Sequence, residues 1–389
     1  MIELLKSKLL LLTYNIKKYS TSTTSNYVGK INVFNYWSEN CGELKKMYSK
    51  GKVIVLLDEA PLVKIIKVNG AITPRLVRFD YNDIEKKLKE YGLRIENGNT
   101  VLLDVLPPTK MGYDYKPLIG VSIPLNQPEP MSGINFIELK KALAKDLGGQ
   151  CISLIGCILT MTSQIERNYL AKFQSTIEWH KTYKLCPRCG GQLIKKLAKT
   201  SATCDNCLKT FYPTIHPVSM TIITDETNEY CLLVNHLDSV KGMFTVVSGY
   251  AIPGESLIDC ARRGIAEEIG LECTNLLIIN ASQPWPIEES SLIIPFCGVV
   301  KMTSKMDIAF HKIECARWFS RKEILEAIKR TDNDPFLKNL PSLIAKDLEE
   351  DKNFDVESKL YYVPPPGTLA SMLIRAWAEK PNGFLDKAN

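Results

Sequence analysis

Glu255, Arg263, Glu267 and Glu268 fall within fourteen consecutive residues and are the groups in this chain best suited to chemistry. Carboxylates are hard oxygen ligands for Mg²⁺ or Mn²⁺. An arginine four residues before a glutamate on a helix pairs with it and fixes its direction, as Arg263 would for Glu267. Such a cluster suits a site for a divalent metal ion. A second constellation is built of sulfur. Cys186-Pro-Arg-Cys189 is followed, after fourteen residues, by Cys204-Asp-Asn-Cys207. Two C-x2-C pairs at this separation predict a closed structural zinc site with four thiolate ligands. Ribbons of this kind often contact nucleic acid, but residues 186–207 carry neither a dense basic stripe nor interleaved aromatics.

The elements that must position these groups are legible nearby. Leu257, Ile258, Ala261, Ile265 and Ile269 recur at helical spacing, with Ser256 placed to start the helix and Gly270 to end it. Strands are expected at 218–224, 230–235, 244–247, 277–280 and 292–301, and a second helix at 321–330. Upstream, apolar runs at 53–57 and 101–106 flank a helical segment at 83–91, which reads as a small α+β domain with a mostly antiparallel sheet. Helices are expected at 136–147 and 152–181. The latter ends in Trp179-His180, where the histidine reads as a packed helix-end residue. Near the C-terminus, Pro364-Pro365-Pro366 fixes an extended approach to a helix from about 371 to 380.

The stretch 248–271 resembles a Nudix box, G-x5-E-x7-R-E-U-x-E-E-x-G-U with U aliphatic. Gly249, Glu255, Arg263, Ile265, Glu267, Glu268, Gly270 and Leu271 fall on the pattern, and Gly264 stands where a glutamate is expected. Downstream, Ser282-Gln283-Pro284-Trp285-Pro286 resembles the SQPWPFPxS array of NADH pyrophosphatases within that superfamily. Trp179-His180 before the four cysteines, Tyr212-Pro213-Thr214-Ile215-His216-Pro217 after them, and the stretch 364–370 match the same family. The likeness covers about residues 150–380.

The resemblance implies a fold and a set of roles. The fold is α/β: a Nudix α/β/α sandwich preceded by a small α+β N-terminal domain and a zinc ribbon. Zn²⁺ would sit on Cys186, Cys189, Cys204 and Cys207. Catalytic Mg²⁺ or Mn²⁺ would be held by Glu268 and the carbonyl of Ser248, with Glu267 beside them; Glu255 and Arg263 complete the catalytic set. Tyr212, Gln283, Pro284, Trp285, Pro286, Ser290 and Ala370 would contact the dinucleotide, and the ring of Tyr250 would stack on it. Trp285 also admits reading as a core aromatic. Beyond Gly264, two departures bear on activity. Lys312 aligns with a family metal-binding glutamate, with Glu314 two residues on as a substitute. Ile287-Glu288 replaces Phe-Pro in the array.

Composition sets the outer limits. A chain of 389 residues accommodates several cores. The expected organisation is a leader over 1–27, an α+β domain over 28–150 and a helical linker over 151–183. A zinc ribbon over 184–211, a Nudix domain over 212–350 and a tail with helix over 351–389 complete it. A formal charge of +6 helps attract a nucleotide without demanding nucleic acid. Of twelve cysteines only four are paired in spacing, which favours a reducing compartment. No apolar run approaches the ~20 residues of a membrane span. Residues 1–27 hold four lysines, one acid and the hydroxyl run 20–25, and resemble a mitochondrial presequence; a cytoplasmic tail is the alternative. The resemblance implies a homodimeric hydrolase of NAD(H)-like dinucleotides, releasing nicotinamide mononucleotide and AMP, with NAD-capped RNA as an extension. A Nudix domain that binds NAD(H) as a sensor or structural partner is the alternative, and a zinc-ribbon nucleic-acid protein a third reading.

Overall fold

The computed structural model describes residues 27–68, 71–108, 114–125, 136–273, 275–287 and 289–379. Residues 1–26 of the expected leader, Glu288 and the last ten residues lie outside them, whereas Tyr27 opens the first described helix. The described chain forms two compact units, one of residues 216–285 and 291–379, the other of 27–215 with 286–290.

The N-terminal unit begins with helices α1 (Tyr27–Glu39) and α2 (Cys41–Met47). Then come β1 (Lys52–Leu57), β2 (Ala60–Val68), β3 (Ala71–Leu76), β4 (Phe79–Asp80), α3 (Tyr81–Glu90), β5 (Thr100–Leu106) and β6 (Lys116–Ile123). They are followed by α4 (Phe136–Asp146), β7 (Gln150–Cys151), α5 (Leu154–Thr160) and α6 (Gln164–Thr182). The sheet runs β3-β2-β1-β6-β5. It is antiparallel except at its centre, where β1 and β6 pair in parallel. Alternation decides its two faces. Val53, Val55 and Leu57 pack with Leu44, Ile84, Leu88 and Leu143, while Ile54 and Leu56 pack with Leu170, Phe173 and Ile177 of α6. The segment 151–183 is therefore part of this core, and the helix expected over 152–181 is two. They part at Met161–Ser163, where the Ser163 side chain caps α6 by accepting from the N–H of Glu166.

A three-stranded sheet, β8 (Leu193–Lys195), β9 (Ala202–Cys204) and β10 (Thr210–Phe211), carries the four paired cysteines.

The second unit holds β11 (His216–Thr224), β12 (Tyr230–His236), β13 (Val247–Tyr250), α7 (Leu257–Ile269), β14 (Asn275–Ile278) and β15 (Gln283–Trp285). After these come β16 (Ser291–Val299), β17 (Ile313–Ser320), α8 (Arg321–Asn333), α9 (Leu340–Glu350) and α10 (Leu369–Ala378). Its sheet runs β14-β16-β11-β12-β17, with β13 on β11 and β15 on β16. Neighbours on one strand go to opposite layers. Ile223, Leu232 and Val234 pack under α7 with Ile265 and Ile269; Ile222, Cys231 and Leu233 pack under α8 and α10 with Ile324, Ile328 and Trp377. This is the α/β/α sandwich, and α10 belongs to its core. The strand expected at 244–247 forms later, at Val247–Tyr250, leaving only a bridge between Thr245 and Val234.

Candidate active site

The site is built where α7 lies against β13. The helix starts at Ser256, whose side chain accepts from the N–H of Asp259, and stops at Gly270 with φ +66°. Gly270 abuts Asp307, so a side chain there would be both strained and crowded. Midway, Gly264 faces Gly249 of β13: a Cβ added at 264 would sit 3.7 Å from the Gly249 Cα, an ordinary contact. The glutamate expected at this position is absent without its place being filled.

Arg263 ties the loop to the helix. Its guanidinium grips Glu255 at 2.5 and 3.0 Å, Glu267 at 3.0 Å and the carbonyl of Tyr250 at 2.6 Å. The fork geometry of arginine suits such multiple carboxylate contacts. Its hydrogen bonds hold the Glu255 carboxyl below the usual range. Glu255 also accepts from the N–H of Ile252 at 3.1 Å. Its oxygens are engaged in shaping the loop.

Glu268 is different. It is 7% exposed, and its Oε2 is buried without a hydrogen-bond partner. Burial pushes its carboxyl up to about 7, against a hydrogen bond from the Ser248 backbone and the nearby charge of Lys312, while Glu267 raises it further. So it is the N–H of Ser248 that meets Glu268. Lys312 Nζ stands 3.8 Å from Glu267 Oε2. Glu314, the substitute considered for it, points elsewhere: it lies 3.4 Å from Lys241, which also binds Glu357 at 2.7 Å. Among the described residues, the only group of three or more His, Cys, Asp or Glu ligand atoms gathered within 4.8 Å is the four cysteines.

A cavity of about 300 Å³ opens beside the box and unites three motifs far apart in sequence. Ser248 and Tyr250 line it from β13, Gln283 and Trp285 from β15, and Thr368 to Ala370 from the start of α10. Gln283 explains the assembly: its amide donates to the Gly367 carbonyl at 2.9 Å and accepts from the Leu369 N–H at 2.7 Å. Trp285 both packs on Val218, Ile293 and Leu369 and lines the cavity, so the two readings of it coincide. Tyr250 is half exposed. Pro284 does not line the cavity, and Tyr212, Pro286 and Ser290 belong to the other unit. The lining residues Val218, Met220 and Ile293 are not singled out by the sequence reasoning, although the period-two pattern of β11 marks the first two.

The cysteines form the separate centre that their spacing predicts. Cys186 and Cys207 sulfurs are 3.7 Å apart and those of Cys189 and Cys204 3.5 Å. Four thiolates at a Zn–S distance of ~2.3 Å in a tetrahedron are about 3.8 Å apart. Gly190 and Leu208, both with positive φ, turn the two knuckles, and the N–H of Cys207 points at the Cys204 sulfur at 3.4 Å.

Comparisons agree with this architecture. A family model described as the NUDIX domain matches residues 214–340. The chain is 36% identical over 365 residues to the NAD-capped RNA hydrolase ndx-9 of Caenorhabditis elegans, covering 93% of each. It is 27% identical over 363 residues to the mitochondrial NAD(P)H pyrophosphatase NUDT13 of Homo sapiens, covering 92% of each. To the human NAD-capped RNA hydrolase NUDT12 it is 26% identical over 227 residues, 56% of this chain and 43% of that one.

Proposed function

The chain belongs to the Nudix superfamily, in its NADH pyrophosphatase type with a four-cysteine ribbon, and we propose that it hydrolyses the diphosphate of NAD(H)-like dinucleotides to nicotinamide mononucleotide and AMP. The observation that carries this is the cavity joining the box residues Ser248 and Tyr250 to Trp285 and Ala370. Two aromatic rings beside an acidic helix are what a molecule with flat bases and a central diphosphate requires.

The donor set fits one divalent ion. The free buried oxygen of Glu268 is a ligand without a partner, and Glu267 is the second carboxylate. It does not fit a fuller cluster, because Gly264 offers no oxygen and Lys312 a positive charge. When bound, Mg²⁺ or Mn²⁺ would neutralise the diphosphate and polarise the attacking water. Arg263 holds Glu267 and the Glu255 loop in register. Burial favours the protonated form of Glu268 below neutral pH in the ion-free site, and the carboxylate form would be the one to ligate. Lys312, 48% exposed at its side chain, is placed to offer charge to a phosphate oxygen. The ribbon would hold Zn²⁺ in a closed structural role.

NAD-capped RNA presents the same dinucleotide, and two relatives named for it support that extension. The basic leader, together with the mitochondrial relative, supports action in mitochondria, and a homodimer is the state the family implies. The missing carboxylate at Gly264 and the ammonium at Glu267 favour a second reading, in which NAD(H) is bound but not cut. Incubation with NADH and Mg²⁺ or Mn²⁺, with products resolved by chromatography, separates the two. AMP and reduced nicotinamide mononucleotide are expected; NADH binding by calorimetry without AMP would favour the reader.

A further inference from the structure

A cavity in the N-terminal unit is used by nothing in the catalytic reading. It holds about 470 Å³ between the β1–β2 turn, the end of α6 and the β8–β9 turn. A neighbouring cavity of about 350 Å³ shares Gly98, Lys195 and Lys199 with it and adds Lys45. Volumes of this size suit small-molecule ligands.

Three lysines line it, Lys181, Lys195 and Lys199, against the two carboxylates of Asp58 and Glu59. Lys199 is 5% exposed, and its ammonium donates only to the Asn97 carbonyl, at 3.0 Å. Lys195 donates to the carbonyl of His180. Neither has a carboxylate within ion-pair distance among the described residues. The acids that line the cavity are already engaged: Glu59 pairs with Lys181, and Asp58 accepts from the Leu125 N–H at 2.7 Å. A buried ammonium without a counter-charge is unfavourable, and an anion relieves it.

His180 adds a directed group. It is 94% buried (6% exposed), and although the Lys199 backbone lies near enough to act on it, neither ring nitrogen has a partner at hydrogen-bonding geometry. Burial and the two lysines drive its imidazole down to about 3, while burial and Lys195 bring Lys199 down to about 8. Both shifts arise first from burial, with the neighbouring lysine charge adding to them. The backbone is also unusual here. Lys199 (φ +64°), Asp58 (φ +44°) and Glu59 (φ +65°) are three of the six non-glycine residues with positive φ among those described. The pair Asp58-Glu59 follows from the tight β1–β2 hairpin. Lys199 occupies a turn position that glycine would hold with less strain, and its side chain is thereby aimed inward.

We propose that this cavity binds a small organic phosphate, with the phosphoryl group seated against Lys195, Lys199 and His180. Lysines recognise phosphate as point charges, and a neutral imidazole supplies one further N–H. The space left beyond a phosphoryl group is enough for a sugar-sized remainder.

Calorimetry on the zinc-loaded full-length protein tests this, with inorganic phosphate and ribose 5-phosphate as probes. The expected result is one site per chain, tighter for ribose 5-phosphate, weakened at least tenfold in Lys195→Met and in Lys199→Met and retained in Lys195→Arg. Lys195 is only partly buried, so its variants report even if Lys199→Met does not fold. Inorganic phosphate binding as tightly as ribose 5-phosphate would overturn the organic part of the proposal. Absence of binding by the wild type to either probe at millimolar concentration, or equal affinity in wild type and Lys195→Met, would overturn the site.

Discussion

Lys312 Nζ stands 3.8 Å from Glu267 Oε2, so an ammonium occupies the edge of the carboxylate cluster in which the family places a further metal-binding glutamate. Charge at this position is reversed, and at Gly264 it is missing. Restoring the first carboxylate is sterically open, since a Cβ at 264 meets Gly249 at 3.7 Å. Gly264→Glu is expected to raise kcat for NADH by roughly tenfold or more, with Gly264→Glu plus Lys312→Glu higher still; first-contact electrostatic groups carry effects of about that size. Gly264→Ala should instead raise helix stability by roughly 0.5–1 kcal/mol without raising kcat. Steady-state kinetics and thermal unfolding of the three variants separate these outcomes.

Glu268 gives the ion-free protein a pH dependence of defined sign. Its carboxyl stands at about 7 when folded and near the ordinary 4.5 when unfolded. The folded state therefore binds more protons across that interval, and stability falls as pH rises from about 4.5 to about 7. The full difference is up to about 3 kcal/mol at 1.36 kcal/mol per unit. Denaturant titrations in chelator should show this slope, and Glu268→Gln should abolish it. Mn²⁺, which favours the ionised form, should flatten it in the wild type.

Gln283 joins β15 to the first turn of α10 by two hydrogen bonds that span more than eighty residues of sequence. Gln283→Ala removes both and leaves the Leu369 N–H and Gly367 carbonyl without them, at about 1–3 kcal/mol each for buried groups. The expected kinetic result is a higher KM for NADH, because Ala370 and Trp285 no longer share one wall. A Trp285→Ala variant should raise KM while leaving the metal dependence of the reaction unchanged.

The ribbon should behave as a unit. One Zn²⁺ per chain is expected by metal analysis of the native protein. Cys189→Ser should release it and lower the unfolding midpoint, since binding free energy at such a site is folding free energy.

The box helix was legible because its signals are local: Ser256, the apolar spacing and Gly270 all lie within fifteen residues. The cysteine centre was legible for the same reason. The single helix expected over 152–181 failed because Met161–Ser163 contains no glycine or proline, and the break is made by capping from Ser163. The strand Ile313–Ser320 and the helix Leu340–Glu350 were not anticipated. Within the site, Arg263 was expected to hold Glu267, and its stronger grip on Glu255 follows only from how the preceding loop folds back. Gln283, expected as a substrate contact, lines the cavity, and its amide also bonds the tail, a long-range pairing that no local pattern encodes. The alignment did foresee a cation beside the carboxylates at Lys312. That its neighbour Glu314 turns to Lys241 was not readable from spacing.

The most direct test of the account is AMP release from saturating NADH with Mn²⁺, wild type beside Glu268→Gln. The account predicts metal-dependent AMP from the wild type and a fall of roughly a hundredfold or more in the variant. Equal AMP release from both proteins, or none from a wild type that binds NADH, would contradict it.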